Sequence, residues 1–277
     1  MQNFKNKIAV VTGAASGIGN GLAQRCLDEG MIVVLADIEE AALERATQKF
    51  AAQGKNAVLP VKTDVSLLKE VEALAAKTVS EFGAVDLLFN NAGIGSSPNL
   101  LDGSHADWEW VMSVNLWSVI HAMRVFTPLM VAQDTEGHIV NTASMSGLIY
   151  GDGAYGVTKH GVVALTESAH FELAEINSKI KVSALCPGWV NTNILESSRN
   201  RQARFGQTRR VQPDQAQQRR SEHSRKSIAQ GMLPIELAGI VFEHIRQEQL
   251  YILTHDDFNA EVAVRAETIL SGANPDQ

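Results

Sequence analysis

Tyr155 and Lys159 lie four positions apart. On a helix that spacing puts both on one face, a turn apart. A free phenol titrates near ~10, too high for efficient proton transfer at neutral pH, and an adjacent ammonium lowers that value by favouring the phenolate. Tyr155 is therefore a candidate general acid toward a carbonyl and general base toward an alcohol. Ser144 lies eleven residues earlier, in the run Asn-Thr-Ala-Ser-Met-Ser-Gly. Its hydroxyl could hydrogen-bond a substrate oxygen on which charge develops. A Tyr-x-x-x-Lys pair is common by chance and usually marks only a helix surface, so its meaning depends on what accompanies it.

A second group is the run Thr12-Gly13-Ala14-Ala15-Ser16-Gly17-Ile18-Gly19, after an apolar stretch and before helical periodicity. Free N–H groups at a helix N-terminus favour an anion, and glycines allow a sharp turn and close approach of a pyrophosphate. Glycine turns often serve packing alone. Asp37 adds weight: it stands 18 positions after Gly19, at the end of the next apolar run. Near that offset a carboxylate meets the adenosine ribose hydroxyls of a dinucleotide. A 2′-phosphate there would meet like charge, and neither Ile38 nor Ala14 nor Ala15 offers a base. NAD(H) is thus favoured over NADP(H).

The elements that must position these residues alternate regularly. Short β-branched runs at Lys7–Val11, Met31–Ala36, Ala57–Val61, Val85–Phe89, His138–Asn141, Ile180–Leu185 and Leu250–Leu253 read as seven strands. Helical segments fall between them: Gly17–Gly30, Glu39–Gln53, Val65–Phe82 with Ser66 as N-cap, a long Asp107–Gln133 disturbed near Pro128, Ala154–Asn177, Pro234–Gln247 and Asp256–Leu270. Such alternation implies parallel pairing with right-handed crossovers and helices on both faces. The expected fold is α/β: a single doubly wound Rossmann-type domain over residues 1–277, with a seven-stranded, mostly parallel sheet.

Composition bounds the function. The chain has 277 residues, 45% hydrophobic and 20% charged, with a formal net charge of −7. Those are globular values, and the acidic balance disfavours general nucleic-acid binding. No apolar run of about 18 uncharged residues or secretory signal pattern is visible, so a cytoplasmic protein with no membrane span is expected. Cys26 and Cys186 make neither a disulfide scaffold nor a CxxC site. Eight histidines show no ligand spacing, so no metal is expected. One segment breaks the rhythm. Glu196–Lys226 holds nine bases and three acids, leaving 15 bases and 28 acids elsewhere: a +6 lobe on a −13 body. It reads as short helices and loops within a substrate-binding or lid insertion at about 190–232. It could be an anion site for a phosphopantetheine-bearing or carboxylated substrate; a solvated lid is favoured, because Gln and Arg alternate without a motif.

Taken together, the chain resembles the short-chain dehydrogenase/reductases. The resemblance rests on Thr12–Gly19, Asp64-Val65, Asn90-Asn91-Ala92-Gly93, Asn115, Ser144, Tyr155-Gly-Val-Thr-Lys159 and Pro187-Gly188, in family order over roughly residues 5–192. It implies a nicotinamide-dependent oxidoreductase acting on CH–OH donors, usually a homodimer or homotetramer. Gly13, Ser16, Gly17, Ile18 and Gly19 would meet the cofactor phosphates. Asp37 would hold the adenosine ribose, and Asp64 and Val65 would flank the adenine. Asn91, Ala92 and Gly93 would back the cofactor; Pro187, Gly188, Val190 and Thr192 would lie along the nicotinamide. Lys159 would bind the nicotinamide ribose and tune Tyr155, and Asn115 would position a water joining Lys159 to solvent. Substrate choice is expected from Ile94–Ser97, Met145, Ser146, Tyr150, Trp189, Leu195 and the lobe, which suggests a mostly hydrophobic secondary alcohol or ketone. Two other readings stay open: a non-catalytic nucleotide-bound sensor, and a nucleotide-sugar epimerase on the same scaffold.

Overall fold

A computed structural model describes residues 1–206 and 215–275. Seven strands form one sheet: β1 (Ile8–Thr12), β2 (Ile32–Asp37), β3 (Val58–Lys62), β4 (Leu87–Asn90), β5 (Gly137–Thr142), β6 (Ile180–Cys186) and β7 (Tyr251–Leu253). Their order is β3-β2-β1-β4-β5-β6-β7, and every pair is parallel. The sheet is the expected doubly wound one. Its central strands are largely apolar because helices cover both faces, and β1 and β4 are buried along their whole length. β3 tolerates Pro60 because it is an edge strand.

Strand order reverses between β1 and β4, and ligands of such sheets bind outside the strand ends at that point. Thr12 ties the two ends together there. Its hydroxyl donates to Phe89 O and accepts from the N–H groups of Asn91 (2.9 Å) and Ala92 (3.1 Å). Asn91 Nδ2 returns a bond to Thr12 O at 3.0 Å. The loops after β1 and β4 are therefore held as one unit.

The helices are α1 (Gly17–Asp28), α2 (Glu40–Ala52), α3 (Leu68–Phe82), α4 (His105–Met112), α5 (Ser118–Ala132), α6 (Gly153–Glu175), α7 (Gln215–Ala229), α8 (Pro234–Arg246) and α9 (Asn259–Ser271). Three expectations change. Ser66 does not cap α3; its N–H and hydroxyl both turn back to the Asp64 carboxylate, and the helix starts two residues later. The long helix is not broken at Pro128, which sits inside α5. It divides instead at a π-helical turn over Ser113–Trp117, which holds Asn115. The lobe is less fragmentary than expected: after 3₁₀ turns at Ile194–Asn200 and Ala203–Phe205, α7 runs for 15 residues. Arg209 and Arg210 lie outside the described residues.

Two apolar cores lie on opposite faces of the sheet. One packs α1 and α8 against β1, with Leu22, Phe89 and Phe242 at its centre. The other packs α3, α5 and α6, with Leu74, Phe126 and Val162. His105–Ala132, apart from the expectation, is long and apolar enough to cross a membrane by length and composition. Its apolar residues serve the interior: Val119 and Phe126 are buried in the second core, and Trp110 and Val111 in a smaller cluster with Ile94, Val114 and Ala154.

Candidate active site

Three loops that leave adjacent strands bring the chemistry together. β5 ends at Thr142, two residues before Ser144, and α6 begins two residues before Tyr155. One turn on, Lys159 is 3% exposed, its Nζ donates to Thr142 O at 2.8 Å, and it lies 5.4 Å from the centroid of the Tyr155 ring. Ser144 and Tyr155 line the same cavity, and Ser144 Oγ donates to Pro187 O at 3.4 Å and accepts from Ser146 N at 3.2 Å. The entry to α6 is a left-handed run, Gly151, Asp152 and Gly153, in which Asp152 has φ +71° although it carries a side chain. Ser146 Oγ donates to the Asp152 carboxylate at 2.6 Å, and Ser97 Oγ donates to Asp152 O. These bonds hold a backbone that sterics disfavour.

The electrostatics differ from the simple expectation of a lowered phenol. Burial pushes Tyr155 up to about 12; the neighbouring Ser144 hydroxyl works against this and the Asp152 charge adds to it. Burial also brings Lys159 down to about 8. Desolvation is the largest influence on both groups, and the Lys159 amine is committed to a main-chain carbonyl and faces the Tyr155 ring. Burial likewise pushes the neighbouring Cys186 thiol up to about 12, which leaves it inert as a nucleophile.

The glycine turn forms the other end of the same cavity, which measures ≈ 850 Å³. Gly13 has φ +67°, and an added Cβ would lie 2.9 Å from Ala92 Cα. A Cβ on Gly19 would fall 2.1 Å from Gly13 O, so α1 can start here only with glycine. α1 opens without a side-chain cap and without an acidic residue in its first turn. Its leading N–H groups are thus left for an anion, which suits a dinucleotide pyrophosphate. Asp37, at the tip of β2, accepts from Ala15 N and Glu39 N, each at 3.0 Å. Burial still holds its carboxyl above the ordinary range.

The family model for short chain dehydrogenases matches residues 7–203. The chain belongs to the short-chain dehydrogenase/reductase family. A Burkholderia phymatum member of that family, solved in complex with NAD, superposes with a TM-score of 0.95 at 39% identity, covering 100% of this chain and 99% of that one. A dehydrogenase/reductase of CLA biosynthesis from Lactiplantibacillus plantarum is 32% identical, over 100% of this chain and 97% of its own length. A 3beta-hydroxysteroid dehydrogenase 2 from Eggerthella lenta is 41% identical over 67% of this chain and 72% of its own.

In this family member the candidate residues gather almost completely. Gly13, Ser16, Gly17, Ile18, Asp37, Asp64, Val65, Asn91, Ala92, Gly93, Ser144, Tyr155, Lys159, Pro187, Gly188, Val190 and Thr192 all line the cavity. Gly19 and Asn115 lie behind its wall. The Asn115 side chain is committed to Ile94, accepting from its N–H at 2.8 Å and donating to its carbonyl at 2.9 Å. Of the residues expected to choose substrate, Ile94, Gly95, Ser97, Ser146, Trp189 and Leu195 reach the cavity. Met145 is buried in the core instead, and Tyr150 is 45% exposed beneath Arg265, away from the cavity wall. Trp110 both packs and faces the site: it is buried and lines the cavity.

Several residues around the cavity are not signalled by the sequence. His255 fixes the turn after β6: Nδ1 accepts from Gly188 N at 3.1 Å, which leaves Nε2–H to donate to Trp189 O at 3.0 Å. Asp152 had a visible signal in its flanking glycines. The lobe's partners had none. Arg199 pairs with Glu39, Arg204 with Asp64 at 3.1 Å, and Arg201 with Asp107 at 2.8 Å over the Trp110 ring.

Proposed function

We propose that this protein is an NAD(H)-dependent oxidoreductase that interconverts a secondary alcohol and a ketone on a mostly hydrophobic small molecule. The observation that carries the reading is one continuous cavity bounded by the glycine turn and Asp37 at one end and by Ser144, Tyr155 and Lys159 at the other. The uncapped start of α1, with no Cβ at Gly13 or Gly19, fits the phosphates of a dinucleotide, whose nicotinamide would supply or accept hydride. Asp37 would take the adenosine ribose hydroxyls. Asp64 and Val65 would flank the adenine, and the His255-braced turn at Pro187–Trp189 would wall the nicotinamide.

Ser144 holds the substrate oxygen, and Tyr155 gives it a proton in reduction or removes one in oxidation. A protonated phenol at neutral pH makes Tyr155 ready as the donor for reduction. Lys159 contributes positive charge behind the phenol and, through Thr142, fixes its own position. Ile94, Val114, Trp189, Leu195 and Ile228 give the substrate end an apolar lining, while Arg201 and Arg204 fasten the lobe above it as a lid. A hydroxysteroid dehydrogenase and a diacetyl reductase from Staphylococcus epidermidis among the relatives accord with an alcohol–ketone pair. A homodimer or homotetramer belongs to the same reading.

The test is a panel of secondary alcohols and ketones assayed with NAD(H) and NADP(H) in parallel. Turnover with NAD(H) supports the reading. NADH binding without turnover on any member would replace it with a sensor, and turnover without net change in cofactor would replace it with an epimerase.

A further inference from the structure

The sequence offers no base beside Asp37, yet the fold brings one to nearby Glu39 from 160 positions along the chain. Arg199, in the 3₁₀ turn that opens the lobe, reaches Glu39, two residues past Asp37. Its Nε and Nη2 bond Glu39 Oε1 at 2.9 and 2.8 Å. Asn200 Nδ2 bonds the same oxygen at 2.7 Å. Three donors thus converge on one carboxylate oxygen, and Asp37, Glu39, Arg199 and Asn200 share one stretch of the cavity wall. The guanidinium does not depend on Glu39 for its place: Nη1 is held by Glu196 O at 2.7 Å within its own turn. Burial would raise the Glu39 carboxyl, but Asn200, Arg199 and the charge of Arg45 outweigh it and keep the group ionised.

We propose that Glu39 is a specificity-determining residue for the dinucleotide: it occupies and neutralises an Arg199–Asn200 anion cradle that would otherwise accept a 2′-phosphate. The inference rests on the proposed NAD(H) reading and deepens it. Selectivity then resides in two carboxylates. Asp37 repels a 2′-phosphate and takes the hydroxyls, while Glu39 withholds the cations that would reward one. An Arg fork and an amide aimed at a single point are the donor set that binds a phosphate oxygen well. Exchanging Asp37 alone leaves that cradle filled.

The experiment compares NADH and NADPH affinities, by quenching of protein fluorescence at one low salt concentration, in the wild type, D37S, D37S/E39Q and D37S/E39Q/R199M. Adding E39Q to D37S should tighten NADPH by about tenfold, the worth of one or two charge-assisted bonds, and leave NADH within about twofold. R199M should return NADPH affinity to the D37S level. A single cooperative urea-unfolding transition in every variant, with a midpoint near the wild type's, shows that they fold. As a second measure, 2′,5′-ADP should displace NADH from E39Q more effectively than from wild type. Unchanged NADPH affinity on adding E39Q, or a gain that survives R199M, overturns the role of Glu39. A wild type that binds neither dinucleotide, or prefers NADPH, instead overturns the NAD(H) reading itself.

Discussion

Tyr155 has the protonation state of an acid at rest. Burial leaves its phenol neutral far above physiological pH, and Ser144 is the neighbour that pulls the other way. Tyr155→Phe keeps the ring and loses the proton. Expected is a fall in kcat/KM by about 10²–10⁴, the usual worth of a positioned acid–base group, with NADH binding unchanged by fluorescence titration. Turnover near the wild-type rate would remove Tyr155 from the mechanism. Lys159 sets a second expectation. It is drawn down to about 8, so it carries its charge below that pH and loses it above. The free enzyme's ionisations appear in kcat/KM for NADH, which should be flat through neutrality and fall above about pH 8. A profile level to pH 10 would mean that the ammonium is not needed.

The π-helical turn is the element that sequence periodicity conceals. Apolar residues at Val111, Val114, Val119, Met123 and Phe126 continue without a gap, so one unbroken helix is the natural reading and Pro128 the natural suspect. The inserted turn shows only in three dimensions, where it presents Asn115 to both polar groups of Ile94. Asn115→Ala would strand a buried N–H and a buried carbonyl, each costing about 1–3 kcal/mol. Chemical denaturation should show a loss of ~2 kcal/mol or more, with weakened substrate affinity because Ile94 lines the cavity; unchanged stability would count against the brace. By contrast, the glycine turn, Asp37, Ser144, Tyr155 and Lys159 were legible, because local spacing on one strand–helix junction determines each. Glu39, Arg199 and His255 were not. Their partners are distant in the chain, and a glutamate at a helix start or a histidine after a short strand has many ordinary uses.

At the scale of the molecule, the charge arithmetic finds its meaning in contacts. The +6 lobe docks on the −13 body through Arg199–Glu39, Arg201–Asp107 and Arg204–Asp64. The pair between Arg201 and Asp107 is almost fully buried, with side chains 5% and 7% exposed, and is the one that salt should screen least. His138 sets an expectation for acid stability. It is fully buried in β5, its Nε2 bonds Ser183 Oγ at 2.7 Å, and burial brings it from 6.5 down to about 3. Below pH ~6.5 the unfolded chain gains a proton that the folded one refuses, so stability should fall between about pH 6 and 3, by a few kcal/mol in total. His138→Gln should flatten that slope in urea melts across the range; an unaltered slope would assign acid lability to other groups. The cavity draws its walls from Gly13 to Ile228, and its floor is stitched where β1 meets β4, from strands about 77 residues apart. No fragment or half-made chain can therefore offer a nucleotide its full grip. A growing polypeptide can complete the nucleotide's walls only after the turn from Pro187 to Thr192 has been made, and a ligand-induced rise in melting temperature would report assembly of these distant segments together rather than tightening of one loop.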